Sequence, residues 1–183
     1  MSEKNFAMRA VLACLVVVGF GPSLFADEPP KQIKPVVVWT GIESENSEPS
    51  FHCMRSNDEW TKIWIKHKGY SGQRTLWKEQ CPQVDFDSNM VVGLFHGERN
   101  NNSGLKVVSV TDEKTLLRIR FCPLWYSSGL DRDDRRTESY ALLVIPKSTK
   151  TIVIEEDTRS LIRGSPVWTE RARLSAVEPA GKK

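Results

Sequence analysis

The sequence is poor in the residue patterns that most often carry catalysis or metal binding. It contains three histidines, and His52, His67 and His96 lack the paired spacing of a His-Glu-x-x-His zinc motif. Its four cysteines form no Cys-x-x-Cys pair, which argues against a zinc ribbon and against a thioredoxin-type redox site. We therefore assign no catalytic, cofactor-binding or metal-ligating residue from the sequence, and we expect no cofactor.

Charge and hydropathy argue against two further classes of protein. The 26 Lys and Arg residues against 23 Asp and Glu residues give a net charge of +3, and they form no basic run. A protein that binds nucleic acid through its phosphates usually concentrates positive charge. Beyond residue 26, no apolar stretch approaches the roughly 20 residues that a membrane-spanning helix needs. We expect neither a nucleic-acid partner nor a membrane span in that part.

The N-terminal segment, residues 1–26, has the three-part order of a secretory signal peptide. Lys4 and Arg9 precede an apolar run over 10–20, and the small residue Ala26 closes the segment. We expect cleavage after Ala26 and a secreted or periplasmic product. The alternative is a lipid attached at Cys14, which most of the apolar run follows rather than precedes.

Three cysteines remain after such a cleavage, namely Cys53, Cys81 and Cys122. An oxidising compartment favours disulfides, so any two of these three are candidate disulfide cysteines and would leave one thiol over. The sequence does not choose among the three pairings, and plain burial of the thiols is the alternative.

The rest of the chain reads as one domain. Residues 27–35 contain three prolines and little to bury, which predicts an extended lead-in. The packed domain is predicted over 36–175, and a loose tail follows over 176–183.

The clearest local signal is a helix. Ser56 and Glu59 have the spacing of a capping box, and apolar residues follow at helical intervals until Gly69. The pattern predicts a helix over about 57–68.

Apolar and alternating runs predict at least five strands, most of them after that helix. They cover 36–40, 50–55, 90–95, 105–110, 115–121, 140–145 and 151–155. Short turns join most of these runs, and the three strands over 90–121 have the signature of a meander. We therefore expect an α+β domain with a mostly antiparallel sheet and one main N-terminal helix packed on it.

Two predicted loops, 97–104 and 123–137, carry the candidate partner-binding residues, since loops on a rigid sheet often serve recognition. Trp125 and Tyr126 stand in a polar stretch beside arginines, a composition typical of interface anchors. The alternative is that this aromatic pair folds back onto the sheet. The full candidate set is Asn101, Asn102, Trp125, Tyr126, Arg132 and Arg135.

Several groups of residues stand in the order and spacing of a known family. They are Glu59-Trp60 with Trp64 and His67, Pro82 to Val92 with Asp85-Phe86-Asp87 inside it, Phe95-x-Gly97-Glu98-Arg99, Gly104, and Tyr140-x-Leu142-Leu143-Val144-Ile145-Pro146-Lys147. In this register, residues 58–156 resemble the C-terminal domain of the protease-complex subunit PrcB. The chain departs from that family at 101–105, where Thr-Gly-Gly-Tyr is expected, and at Ser139, where a proline usually stands.

The resemblance implies a non-catalytic exported domain that associates with another protein, with a protease as the first candidate, and it brings no active site. We expect an accessory or stabilising subunit of a protease complex outside the cytoplasm. Two alternatives remain. One is a secreted protease inhibitor, which would insert a loop into an active cleft. The other is a small enzyme or metal-binding protein built around His52 or His96.

Overall fold

The computed structural model describes residues 29–69, 74–126, 135–159 and 164–175. Strands dominate these ranges, and two helices lie between the third and fourth strands. The order is β1 Lys31–Gln32, β2 Val37–Gly41, β3 Ser50–Met54, α1 Asn57–Lys68, α2 Arg74–Glu79, β4 Asn89–Asn100, β5 Asn102–Asp112, β6 Leu116–Trp125, β7 Arg136–Pro146, β8 Thr151–Asp157 and β9 Trp168–Leu174. Within the same ranges, no helix is both long enough and apolar enough to cross a membrane.

The strands form two sheets. A five-stranded sheet has the order β1-β5-β6-β8-β9, and a four-stranded sheet has the order β2-β7-β4-β3. Neighbouring strands are antiparallel except β6 and β8, which run parallel. The predicted α+β class with mostly antiparallel strands is confirmed at this level. Three strands precede α1, so the helix is not the N-terminal element of the fold.

The larger core lies between the two sheets. Alternate residues of each strand point into it, as the period of two along a strand requires. Burying an aliphatic or aromatic side chain of this size contributes about 1.5–3 kcal/mol, so this layer holds the sheets together. Its fully buried members include Met90, Val92, Leu94, Leu117, Ile119, Phe121, Ala141, Leu143, Ile145, Ile152 and Ile154.

A second core lies on the other face of the four-stranded sheet, under α1. Val91 and Phe95 of β4 point to this side and pack with Trp60 and Trp64 of the helix. β4 is therefore buried on both faces, which explains its nearly continuous apolar sequence. The result is a layered domain of helix, four-stranded sheet and five-stranded sheet.

The predicted helix is confirmed, and its ends show why it could be predicted. The Ser56 hydroxyl accepts a hydrogen bond from the Glu59 N–H at 3.3 Å, and the Glu59 carboxylate accepts one from the Arg55 N–H at 2.7 Å. Gly69 ends the helix with φ +91°, and its N–H donates to the carbonyl of Ile65. A left-handed residue after the last turn is best suited to glycine.

Replacing Ser56 by alanine is expected to lower the free energy of unfolding by about 1 kcal/mol, because the Glu59 N–H loses its acceptor. Urea unfolding at neutral pH measures this loss. Replacement of the exposed neighbour Asn57 by alanine is the control and should change stability by less than about 0.5 kcal/mol. Equal stability of Ser56→Ala and the wild-type chain would contradict the capping role.

The glycine of the Gly97-Glu98-Arg99 motif is also explained by local backbone geometry. The pairing of β4 with β7 shifts register between Phe95 and Glu98, which marks a β-bulge. Gly97 sits in it with φ +75°, and a Cβ at this position would lie 2.7 Å from the carbonyl oxygen of Ser47. Both the backbone angle and the close approach require glycine.

The meander predicted over 90–121 is wrong at its first connection. β4 and β5 are consecutive in the chain, but β4 pairs with β3 and β7, whereas β5 pairs with β1 and β6. β8 does not pair with β7, since it lies parallel to β6 in the other sheet. An alternating pattern identifies the buried face of a strand and not its neighbour, so two stacked sheets and one folded sheet give the same pattern.

The turn or short loop predicted over 97–104 is shorter than expected, because β4 extends to Asn100 and β5 begins at Asn102. β9 was not predicted at all, because charged residues occupy much of its half-exposed sequence. Residues 31–33, predicted as part of the lead-in, pair with β5 instead: Ile33 donates its N–H to the carbonyl of Val110 at 2.8 Å.

Candidate functional site

Four of the six predicted contact residues meet on the surface at one end of the two sheets. Tyr126 donates its N–H to the carbonyl of Asn101 at 3.0 Å, and Asn101 donates its own N–H to the carbonyl of Arg135 at 3.2 Å. Trp125 is the residue before Tyr126, at the end of β6. We call Asn101, Trp125, Tyr126 and Arg135 the corner surface. Arg132 lies outside the described residues.

Asn101 makes the corner possible. It is the single residue between β4 and β5, and its φ of +57° turns the chain from one sheet into the other. Asparagine tolerates this left-handed conformation better than most residues. The corner is therefore a tight turn held by backbone hydrogen bonds, and the turn or short loop predicted over 97–104 is reduced to this one residue.

Trp125 is the most prominent side chain of the corner surface. It is 56% exposed, and it is the one aromatic residue among the large exposed hydrophobic residues of the described chain. Its ring centroid lies 5.9 Å from that of the buried His96, which supports the indole from below. The ring therefore contacts the domain on one side and leaves most of its surface to solvent.

Asn102 does not belong to the contact surface, and this prediction is wrong. Asn102 is completely buried. Its side-chain oxygen accepts a hydrogen bond from the Gly104 N–H at 2.7 Å, and its backbone carbonyl accepts one from the Thr137 hydroxyl at 2.9 Å. Its role is to fix the start of β5 against β7 beneath the corner surface.

A buried polar network continues inward from Asn102. The Asn102 amide nitrogen lies 3.4 Å from His96 Nδ1, and His96 Nε2 lies 3.4 Å from a Glu156 oxygen. Because an amide N–H can only donate, Nδ1 accepts and the imidazole proton sits on Nε2, directed at the carboxylate. Arg171 closes the network with a 2.6 Å bond to the other Glu156 oxygen.

Electrostatics keep this network charged in the interior. Burial acts to raise the pKa of Glu156, but hydrogen bonds from His96 and Arg171, with the positive charge of Arg171, outweigh it and hold that pKa below its ordinary value of 4.5. A buried carboxylate is stable only when it is paired in this way. The network thus fixes His96 in position under Trp125.

Sequence reasoning missed the acidic run that supplies this carboxylate. Glu155, Glu156 and Asp157 are consecutive and all buried at the end of β8. Glu155 is bound by Arg118 and by Arg120, whose Nε lies 2.8 Å away. The available signal was the Arg118-Ile119-Arg120 alternation, which places two cations on the same face as the Glu155 side chain.

A second polar site lies between α1 and the strand ends, around His67. Ser44 Oγ lies 2.9 Å from His67 Nδ1, beside a cavity of about 450 Å³ lined by Glu43, Glu45 and Glu138. Burial, aided by the charge of Lys68, lowers the pKa of His67 to about 4. A base with that pKa activates a hydroxyl poorly at neutral pH, and the surrounding carboxylates would oppose an oxyanion.

His52 lies on the outer strand β3 and is partly buried. Burial and the nearby Lys66 charge lower its pKa. Neither His52 nor His96 belongs to a group of three or more His, Cys, Asp or Glu residues able to hold a metal ion, as far as the described ranges extend.

The structure does not form the candidate disulfide, since Cys53, Cys81 and Cys122 are all free thiols. Cys53 packs against the core between the sheets, whereas Cys81 lies in the core under α1. The four-stranded sheet separates those two thiols, and Cys122 alternates with the inward-facing Phe121 on β6. Burial raises the pKa of each thiol, so none is activated as a nucleophile.

No family model matches the chain, and no curated protein or solved structure matches it. The resemblance to the PrcB C-terminal domain therefore remains a prediction from its motifs. The fold and the site together define an α+β domain of two sheets with an exposed aromatic corner.

Proposed function

We propose that the chain is an exported protein-interaction domain that binds another protein through the corner surface. In this role it is an accessory or stabilising subunit rather than a catalyst. The observation that carries the proposal is the 56% exposure of Trp125 on an otherwise fixed corner. Exposed tryptophans of this kind are over-represented among the residues that dominate binding energy.

The rigidity of the corner favours binding. Backbone hydrogen bonds join Asn101 to Tyr126 and Arg135, and the buried side chain of Asn102 lies directly beneath them. A surface that is ordered before binding loses less conformational entropy when the complex forms. Trp125 can therefore act as a preformed anchor.

The charged residues around Trp125 indicate what the partner offers. The Arg135 side chain is largely exposed and lies 3.4 Å from the exposed Glu43, and the exposed Arg136 lies 3.1 Å from Glu98. Exposed ion pairs of this kind are weak and exchange readily for others. We infer a partner with an apolar pocket for the indole and carboxylates at its rim.

The motif resemblance makes a protease the first candidate for that partner. If the captured partner is a protease, its activity distinguishes two roles. A stabilising subunit leaves activity intact or prolongs it, whereas an inhibitor abolishes activity in proportion to the dose.

Replacing Trp125 by alanine is expected to weaken partner binding by at least about tenfold, which corresponds to about 1.4 kcal/mol. The full chain with a C-terminal tag would be used to capture partners from the native exported fraction. Mass spectrometry would identify them, and the dissociation constant would then be measured for each variant.

The matched control for that experiment is Val108→Ala. Val108 is also exposed and apolar, but it lies in the middle of β5, away from the corner surface. The Val108→Ala substitution should leave the dissociation constant for the partner unchanged. Capture of the same partner with equal affinity by Trp125→Ala would overturn the assignment of the corner surface.

A further inference from the structure

The two sides of the layered domain are closed differently. On one side the chain itself joins both sheets: Ile33 pairs with β5 of the five-stranded sheet, and Val36 donates its N–H to the carbonyl of Val144 in the four-stranded sheet at 2.8 Å. On the other side each sheet ends in an outer strand, β3 in one and β9 in the other. A groove of about 490 Å³ lies between these two strands and α1.

β3 presents an unpaired edge to this groove. Its residues Ser50–Met54 pair with 91–95 of β4 on one side only, and no other described strand pairs with β3. A free edge offers backbone N–H and C=O groups to an added strand. β9, by contrast, carries Glu170, Arg171 and Arg173, and charged side chains protect an edge from such pairing.

Two polar atoms in the groove are buried without a partner. Within the described residues, His52 Nε2 and Arg55 Nε make no hydrogen bond, and both residues line the groove. Native proteins pair nearly all buried polar atoms, so an isolated one calls for a ligand or a water molecule. The guanidinium of Arg55 can only donate; its Nη2 donates to the Ser148 carbonyl at 3.4 Å, so the missing partner of Nε is an acceptor atom.

The charge of the groove indicates which acceptor fits. Arg55, Lys62 and Arg173 line it with one carboxylate, that of Glu59, which already accepts the Arg55 N–H. Arg173 is paired with Glu170 outside the groove, so Arg55 and Lys62 supply its available positive charge. Lys62 is exposed. Phe51 and Leu174 add apolar surface to the same groove. The combination suits an extended chain that alternates acidic and apolar side chains.

We propose that the groove between β3 and β9 binds an extended acidic segment of another protein, which adds as a strand to the free edge of β3. Its carboxylates face Arg55 and Lys62, and its alternate apolar side chains contact Phe51 and Leu174. This is a second binding surface, and it does not depend on the corner surface. β3 pairs with residues 91–95 of β4, whereas the corner surface begins beyond Asn100.

The test uses a displayed library of random peptides, selected for binding to the full chain. The selected peptides should alternate acidic and apolar residues. One of them, synthesised with a fluorescent label, should slow hydrogen exchange of the backbone amides at 50–54. The same peptide with N-methyl groups at alternate backbone nitrogens should fail to bind, because methylation removes the donors that a strand needs.

Matched charge variants then locate the site. Lys62→Glu should weaken binding of the acidic peptide by about fivefold to tenfold, since attraction becomes repulsion. Lys34→Glu places the same change on the closed side of the domain and should have no effect, and Trp125→Ala should have none either. Loss of binding with Trp125→Ala would instead assign the peptide to the corner surface.

Three results would overturn the proposal. The selected peptides could lack acidic residues, the acidic peptide could bind Lys62→Glu as well as it binds the wild-type chain, or protection could fall outside β3. Concentration-dependent dimerisation that Lys62→Glu abolishes would assign the groove to a second copy of the chain. That result would also overturn the proposal.

Discussion

Replacing Trp60 by alanine is expected to lower the free energy of unfolding by about 3–5 kcal/mol. Trp60 is completely buried between α1 and the four-stranded sheet. Its ring stacks on Trp39 at 6.0 Å between centroids and tilts against Trp64 at 5.4 Å. Alanine would leave a large cavity among these rings, and the cavity adds to the lost burial.

The variant also loses a specific hydrogen bond. The Trp60 indole N–H donates to the carbonyl of Pro82 at 2.9 Å, and this bond ties the helix to the segment that leads into β4. Since a domain of this size has a total stability of about 5–15 kcal/mol, Trp60→Ala will be close to the limit of folding. Trp60→Phe keeps an aromatic ring and loses the bond, so it should be destabilised less.

Urea unfolding followed by circular dichroism measures both variants. Trp125→Ala is the matched control, because the same substitution at an exposed tryptophan should cost less than about 1 kcal/mol. A loss below about 1 kcal/mol for Trp60→Ala would contradict the packing of α1 on the sheet.

Acid is expected to destabilise the domain by about 3 kcal/mol between pH 6.5 and pH 4 through His67 alone. His67 is only 1% exposed, and burial lowers its pKa from 6.5 to about 4. As the pH falls through 6.5, the histidine of the unfolded chain binds a proton but the folded one does not. Protons therefore favour unfolding until the pH reaches the folded pKa. The stabilisation is complete above pH 6.5 and is lost towards pH 4.

Substitution isolates this contribution from the other titrating groups. His52 also has a lowered pKa and acts in the same direction, whereas the contribution of Glu156, whose pKa is held below 4.5, is lost only at the acidic end of this window and below it. His67→Phe removes one titrating ring and keeps an aromatic side chain against Tyr140. Its stability should fall less steeply between pH 6.5 and 4 than that of the wild-type chain. Parallel pH profiles from urea unfolding would contradict a neutral, buried His67.

The helix was predictable from sequence because its causes are local. The capping pair Ser56 and Glu59 and the stop at Gly69 all lie within or beside α1, so no distant contact is needed to identify its ends. The two-faced burial of β4 was readable for a similar reason, since an apolar run of this length suits a strand that is covered on both sides.

The sheet topology could not be predicted, because pairing partners are a tertiary property. Asn101 alone moves the chain from one sheet to the other, and a single asparagine at a turn does not reveal which sheet the next strand joins. The parallel pairing of β8 with β6 depends on the length of the intervening chain and on the packing of the two sheets.

The candidate site was predictable in part for the same reasons. Trp125 and Tyr126 stand out because aromatic residues in a polar context are unusual, and Trp125 is indeed exposed. Asn102 has a polar side chain beside them, and only the three-dimensional contacts with Gly104 and Thr137 show that it is buried.

The most direct test of the account is the hydrogen-exchange footprint of the captured partner on the full chain. If the corner surface binds the partner, exchange slows in the backbone amides around Asn101, Trp125–Tyr126 and Arg135 when the partner is added, and Trp125→Ala removes that protection. Unchanged exchange at these three positions in a saturated complex would contradict the proposal that the corner surface binds the partner.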